Sequence, residues 1–120
     1  MTMSNKSGFA AAAAFAALLV GTQAQAHAKL VSSTPTADAI IAAPKEITLK
    51  FSEKLAPKFS GVEVGMPGMS TPVKVSVAKD GVTLVATPTE PLMAGAYKVT
   101  WHAVTTDTHR TTGTFNFTIH

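Results

Sequence analysis

No cysteine occurs anywhere in the 120 residues of this chain. That excludes disulfide cross-links and thiolate metal sites, so a metal could be held only by His, Met, Asp, Glu or a chain terminus. Aromatic residues are also sparse, with one Trp, one Tyr and six Phe, and only 14% of residues are charged. The net charge of +3 is spread thinly, with no run of like charge that would mark a nucleic-acid stripe or a polybasic membrane patch. No Ser sits in a nucleophile elbow and no glycine-rich loop has phosphate-cradling spacing, which leaves hydrolase chemistry without a starting point.

The one long apolar stretch lies at the N-terminus. Phe9 to Val20 is an unbroken apolar run of about a dozen residues, preceded by Lys6 and followed by Gly21-Thr22 and the small-residue site Ala24-Gln25-Ala26. This order reads as a secretory signal cleaved after Ala26. The run falls short of the roughly 20 apolar residues that a membrane-spanning helix needs. Removal of residues 1–26 would take away a single charge, Lys6, and leave residues 27–120 as one small exported domain.

Beyond residue 27 the apolar residues recur every second position. Ile47, Leu49 and Phe51 alternate with Thr48, Lys50 and Ser52. The same alternation runs through Val73–Val77, Tyr97–Ala103 and Phe115–Ile119, as in strands with one apolar and one wetter face. Pro35, Pro44, Asp80-Gly81, Pro88, Pro91 and Gly95 punctuate these runs. The pattern predicts an all-β domain of about seven strands, near 29–33, 46–52, 61–65, 72–78, 82–87, 96–104 and 112–119. A two-sheet sandwich and a Greek-key barrel fit it equally.

Several residues are candidate metal ligands. Cleavage after Ala26 would give His27 a free α-amine beside its imidazole, a pair that closes a six-membered chelate ring through the amine and Nδ1 and suits Cu(II). The alternative is a frayed, solvated chain end. Asp107-Thr108-His109 sets a carboxylate and an imidazole two residues apart, on the same side of an extended chain. The alternative there is a polar turn in which Asp107 caps backbone amides. Together the three residues supply two imidazoles, an amine and a carboxylate, a set that favours tetragonal Cu(II). Met66-Pro67-Gly68-Met69 places two thioethers in a loop and makes a weak Cu(I) candidate, although Met usually fills gaps in cores. Met93 is expected to pack under the Pro91 turn. Glu53, just after the strand 46–52, is either a surface carboxylate or an outer-sphere or weak axial partner of the histidine site. His102 on the wetter face of its strand and His120 at the chain end are expected to be solvated.

Ordered along the chain, His27-Ala28-Lys29-Leu30-Val31-Ser32-Ser33-Thr34-Pro35, Phe51-Ser52-Glu53-Lys54-Leu55, Lys58-Phe59-Ser60-Gly61 and Pro91-Leu92-Met93-Ala94-Gly95-Ala96-Tyr97 stand out. Trp101-His102-Ala103-Val104-Thr105-Thr106-Asp107-Thr108-His109 and Thr112-Gly113 complete the series. It resembles the periplasmic copper-resistance CopC family (CopC/PcoC) over essentially all of residues 27–120. The resemblance implies a cupredoxin-like or immunoglobulin-like β-sandwich that binds Cu(II) in the periplasm. It implies ligands at the mature N-terminal His and an Asp-x-His pair, which match His27, Asp107 and His109, with Glu53 near that site. Some family members also hold Cu(I) on a methionine-rich loop with a histidine. This chain keeps Met66 and Met69 of that loop, with Glu63 and Val64 upstream where relatives carry methionine, and Ser70-Thr71-Pro72 lacks the histidine and the methionine after it. His102 replaces an arginine common in the family.

Three functions fit these residues. The first is a soluble, monomeric copper-binding protein that sequesters copper or passes it to an inner-membrane transporter or another periplasmic carrier, with no nucleic-acid partner. The second is an enzyme like the copper polysaccharide monooxygenases, which also use an N-terminal histidine. The third is a metal-free β-sandwich interaction module.

Overall fold

Alternation of apolar and polar residues becomes alternation of burial wherever a strand has one face on a core. The computed structural model describes residues 27–120, and the expected signal, residues 1–26, lies outside the described residues. Nine strands follow in order: β1 (Leu30–Thr34), β2 (Ile40–Ile41), β3 (Ile47–Phe51), β4 (Gly61–Met66), β5 (Met69–Thr71), β6 (Val73–Val77), β7 (Thr83–Pro88), β8 (Gly95–Val104) and β9 (Arg110–Ile119). They form a four-stranded sheet in the order β1-β3-β7-β6 and a five-stranded sheet in the order β2-β9-β8-β4-β5. The chain crosses repeatedly between the two sheets. The architecture is a sandwich, which settles the choice between sandwich and barrel.

All seven expected strands are present, and β2 and β5 are additions. β2 is only two residues long and lies parallel to the end of β9, through Ile40↔Thr118 and Ile41↔Ile119. β5 turns the expected Met66–Met69 loop into a tight hairpin. Met66 faces Met69 across Pro67-Gly68, and Gly68 has φ +73°, as a type II turn requires at its third residue.

The core lies between the sheets. Ile47, Leu49, Phe51, Leu84 and Ala86 come from the four-stranded sheet. Val62, Val64, Tyr97, Val99, Trp101, Phe115, Phe117 and Ile119 come from the five-stranded one. Each large side chain removed from water here contributes roughly 1.5–3 kcal/mol. Phe51 and Trp101 meet edge to face between the sheets, with ring centroids 4.9 Å apart, a geometry that aromatic quadrupoles favour. Within the five-stranded sheet Trp101 stands directly opposite Gly113, and a Cβ at Gly113 would overlap the indole ring.

Asp80 closes the β6–β7 hairpin through its carboxylate. The Val82 and Thr83 amides donate to Oδ1 at 2.9 and 3.0 Å, and the Thr83 hydroxyl donates to Oδ2 at 2.7 Å. The Val82 amide, and next the Thr83 hydroxyl, hold the Asp80 carboxyl below its ordinary range. Since the native state favours the ionised form, this stabilisation is complete above the ordinary carboxylate range and fades as pH falls through the lower native value. The melting temperature of Asp80→Ala should therefore lie below that of the parent at pH 7, and the gap should close at about pH 2. A gap that persists unchanged in acid would assign the effect to something other than the carboxylate.

The ten-residue strand β8 sets the ends of the sandwich about 30 Å apart. Its C-terminal end meets the starts of β4 and β9, while its N-terminal end lies beside the Met66–Met69 hairpin.

Candidate metal centre

His27 is placed by its neighbours in the chain. Ala28 is fully buried in the core. Lys29 is tied to the end of β3 by two hydrogen bonds, its amide donating to Ser52 Oγ at 2.9 Å and its carbonyl accepting from the Ser52 amide at 2.9 Å. The exposed His27 thus emerges at the rim of the sandwich from an anchored base.

Asp107 and His109 arrive on the β8–β9 connection, and a turn rather than extended chain brings them together. The Thr108 amide donates to the Thr105 carbonyl and the Thr105 amide to the His109 carbonyl, both at 2.9 Å. Thr108 adopts φ +74°, a left-handed conformation unusual for a β-branched residue and typical of strained functional turns. The turn is docked onto the segment after β3. The Thr106 amide donates to the Lys54 carbonyl, the Ala56 amide donates to the Val104 carbonyl, and Leu55 bridges Thr105.

The side chains continue this arrangement. His109 Nδ1 lies 3.2 Å from Asp107 Oδ1, with both side chains about half exposed. The rings of His27 and His109 meet edge to face with centroids 4.9 Å apart and an interplanar angle of 82°. His109 is thus the common neighbour of the other two. Among the described residues, no three His, Asp or Glu side chains are already gathered into one metal-binding group. The expected set is present as two touching pairs. Glu53 is half-buried on the segment between the Ser52 anchor and the Leu55 bridge.

One residue of the site escaped the sequence reading. Thr105 is buried, and its hydroxyl donates to Asp107 Oδ1 while accepting from the His109 amide at 3.1 Å. That bond first, and the His109 contact second, hold the Asp107 carboxyl below its ordinary range. Asp107 therefore takes its main hydrogen bonds from the Thr105 and His109 side chains, with its own amide a lesser contributor. The signal was available in the strand pattern. Tyr97, Val99, Trp101 and Ala103 all point inward, and continuing by two puts the Thr105 hydroxyl on the core side, where it must find a partner.

The remaining candidates lie elsewhere. His102 is half-buried rather than solvated, with its ring over Gly61, where a Cβ would come within 2.7 Å of Cε1. His120 is exposed. Met66 and Met69 sit at the far end of the sandwich. Met93 does not pack under the Pro91 turn but is 58% exposed. Tyr97, Trp101, Phe115 and Phe117 are all buried, so none of them supplies the flat aromatic surface a polysaccharide enzyme would present.

Fold and rim together define a small all-β domain with a histidine-bearing end suited to a nitrogen-binding metal. The family model described as CopC domain matches residues 30–120, and the chain belongs to the CopC family. Copper resistance protein C of Escherichia coli is 48% identical over 109 residues, covering 83% of this chain and 86% of the relative. The protein of the same name from Pseudomonas syringae pv. tomato is 48% identical over 112 residues, covering 87% and 89%. Among solved structures, PcoC of Escherichia coli, described as a methionine-rich copper resistance protein, superposes with a TM-score of 0.73 at 46% identity, covering 79% of this chain and all of that one. CopC from Methylosinus trichosporium OB3b gives 0.71 at 26% identity, covering 78% and 93%. The family match begins three residues after His27.

Proposed function

We propose that this protein binds Cu(II) at the histidine rim and serves copper resistance by sequestering or delivering the ion in the periplasm. The observation that carries this reading is the edge-on pair of His27 and His109 at 4.9 Å, held from two anchored segments. In the processed protein His27 supplies its α-amine and Nδ1. His109 supplies an imidazole nitrogen, and its 3.2 Å contact between Nδ1 and Asp107 Oδ1 holds the two side chains together at the rim. Asp107 supplies a carboxylate oxygen. Glu53 is the outer-sphere or weak axial carboxylate. Three nitrogens and an oxygen match Cu(II), which also heads the divalent affinity order.

The protein acts as a soluble monomer whose partner is the copper ion, received from or passed to a membrane transporter or another carrier. The names of its relatives and the burial of Tyr97, Trp101, Phe115 and Phe117 support a binder over a monooxygenase. Competition titrations of the processed protein with Cu(II) test the assignment. His109→Ala should weaken binding by more than the roughly 10- to 100-fold that loss of an outer-shell partner costs, and Thr105→Val should fall within that range. His102→Ala should leave affinity unchanged. Equal affinities for the parent and His109→Ala would exclude the site.

A further inference from the structure

Folding gathers charge that the sequence spreads. The chain has ten Lys and Arg residues, one of them, Lys6, ahead of His27, against seven Asp and Glu. The histidine rim lies where β1 and β7 begin and β3 and β6 end, as the pairs Leu30↔Phe51, Lys50↔Thr83 and Val77↔Leu84 place them. Lys29, Lys50, Lys54, Lys58, Lys79 and Arg110 all belong to that end, and all are exposed. Among the described residues three carboxylates, Glu53, Asp80 and Asp107, accompany them. The rest of residues 27–120 carries Lys45, Lys74 and Lys98 against Asp38, Glu46, Glu63 and Glu90. The whole positive excess of the domain therefore lies around the histidines.

The same rim presents Phe59, which is 64% exposed, whereas every other Phe, Tyr and Trp among the described residues is buried. Its segment is fixed in place. The Phe59 amide donates to the Ala56 carbonyl at 3.2 Å, the Ala56 amide to the Val104 carbonyl at 2.7 Å, and the Val104 amide to Ser60 Oγ at 2.9 Å. Two further bonds tie the β3–β4 connection to the β6–β7 hairpin that carries Lys79. The Leu55 amide donates to the Gly81 carbonyl at 2.9 Å, and Lys54 Nζ donates to the Asp80 carbonyl at 2.5 Å. An aromatic ring held out in water on an anchored turn adds nothing to the core, and its backbone has little freedom left to lose when a partner covers it.

We propose that the histidine rim is a docking surface for an acidic protein face that surrounds a copper-accepting site, with Lys58, Lys79 and Arg110 meeting its carboxylates and Phe59 entering an apolar recess among them. The surface rests on the copper reading for what passes across it, and on Phe59 and the cations for the docking itself. Complementary charge steers the encounter and fixes its register. Bound Cu(II) adds positive charge at the centre of the rim, so loading tightens the docking and handing over the ion loosens it. A uniformly anionic lipid surface fits less well, because Glu53, Asp80 and Asp107 stand among the cations and a patterned protein face can avoid them.

Two synthetic acceptor peptides test this. Both carry the same N-terminal copper motif with histidine in third place, followed by a tail that alternates leucine with glutamate in one and leucine with lysine in the other. Stopped-flow transfer of Cu(II) from the processed protein should be roughly tenfold or more faster to the glutamate peptide at about 0.01 M salt, and the ratio should fall towards one at about 0.5 M. Lys58→Glu with Lys79→Glu should remove most of that preference while leaving Cu(II) affinity unchanged. Phe59→Ser should slow transfer to the glutamate peptide at both salt concentrations. The same peptide with its copper-binding histidine replaced by alanine should shift the NMR signals of the Lys58, Phe59 and Lys79 amides in the metal-free protein. Equal transfer rates to the two peptides, or a ratio that salt leaves unchanged, would overturn the proposal. So would tighter binding to phosphatidylglycerol vesicles than to the glutamate peptide, which would assign the rim to a membrane surface. Shifts at Lys58 and Phe59 in a protein whose Cu(II) spectrum is that of the aquo ion would support the docking surface while contradicting the histidine site.

Discussion

A single residue placed ahead of His27 should reduce Cu(II) affinity by roughly 100-fold or more, a loss beyond that of any outer-shell change. The extension converts the α-amine into an amide nitrogen and destroys the chelate ring while leaving every side chain in place. The fold should not notice, because His27 is exposed and the chain is anchored from Ala28 onward. Melting curves therefore separate binding from folding. A ligand held only by the native state adds about 2.7 kcal/mol at a hundredfold excess over its dissociation constant. For a domain of this size that raises the melting temperature by roughly 10–20 °C. The processed protein should show this rise with Cu(II), and the extended one should melt at nearly the same temperature with and without metal. An equal rise in both would remove the amine from the coordination sphere.

Trp101→Ala should cost about 3–5 kcal/mol, the range for deleting a large aromatic from a core, against a total stability of roughly 5–15 kcal/mol. The indole closes the gap between the sheets against Phe51 and covers Gly113 on the neighbouring strand. Denaturant titration should show a large drop in midpoint. The tight fit over Gly113 makes a second, coupled expectation. Gly113→Val alone should destabilise by overpacking, yet in the Trp101→Ala background it should recover part of the loss by filling the vacated space. Strict additivity of the two changes would mean that the indole does not occupy the space over Gly113.

Period-two patterning located every strand long enough to bury one face. On β8 and β9 the inward residues Tyr97, Val99, Trp101, Phe115 and Phe117 follow the alternation without exception. β2 was invisible because two residues cannot show a period and Ile40 is exposed. It exists through its pairing with the end of β9. β5 was hidden in a similar way, as three residues with no buried face.

The same divide runs through the sites. His27, Asp107 and His109 were legible as residue types suited to Cu(II), but their meeting depends on long-range contacts. Burial of Ala28, the Lys29–Ser52 bonds and the Leu55–Thr105 bridge connect three distant segments, and none leaves a local trace. At the other end Met93 read as a packing residue of the Pro91 turn. It is instead 58% exposed on the connection before β8, where no strand period fixes which way a side chain faces.

The exposed end of this sandwich is proposed to become a copper site when the chain begins at His27. Electron paramagnetic resonance of the processed protein with one equivalent of Cu(II) tests it most directly. The spectrum should show superhyperfine structure from three nitrogen donors, reduced in His27→Ala and in His109→Ala. A spectrum of the aquo ion, or one that neither substitution alters, would contradict it.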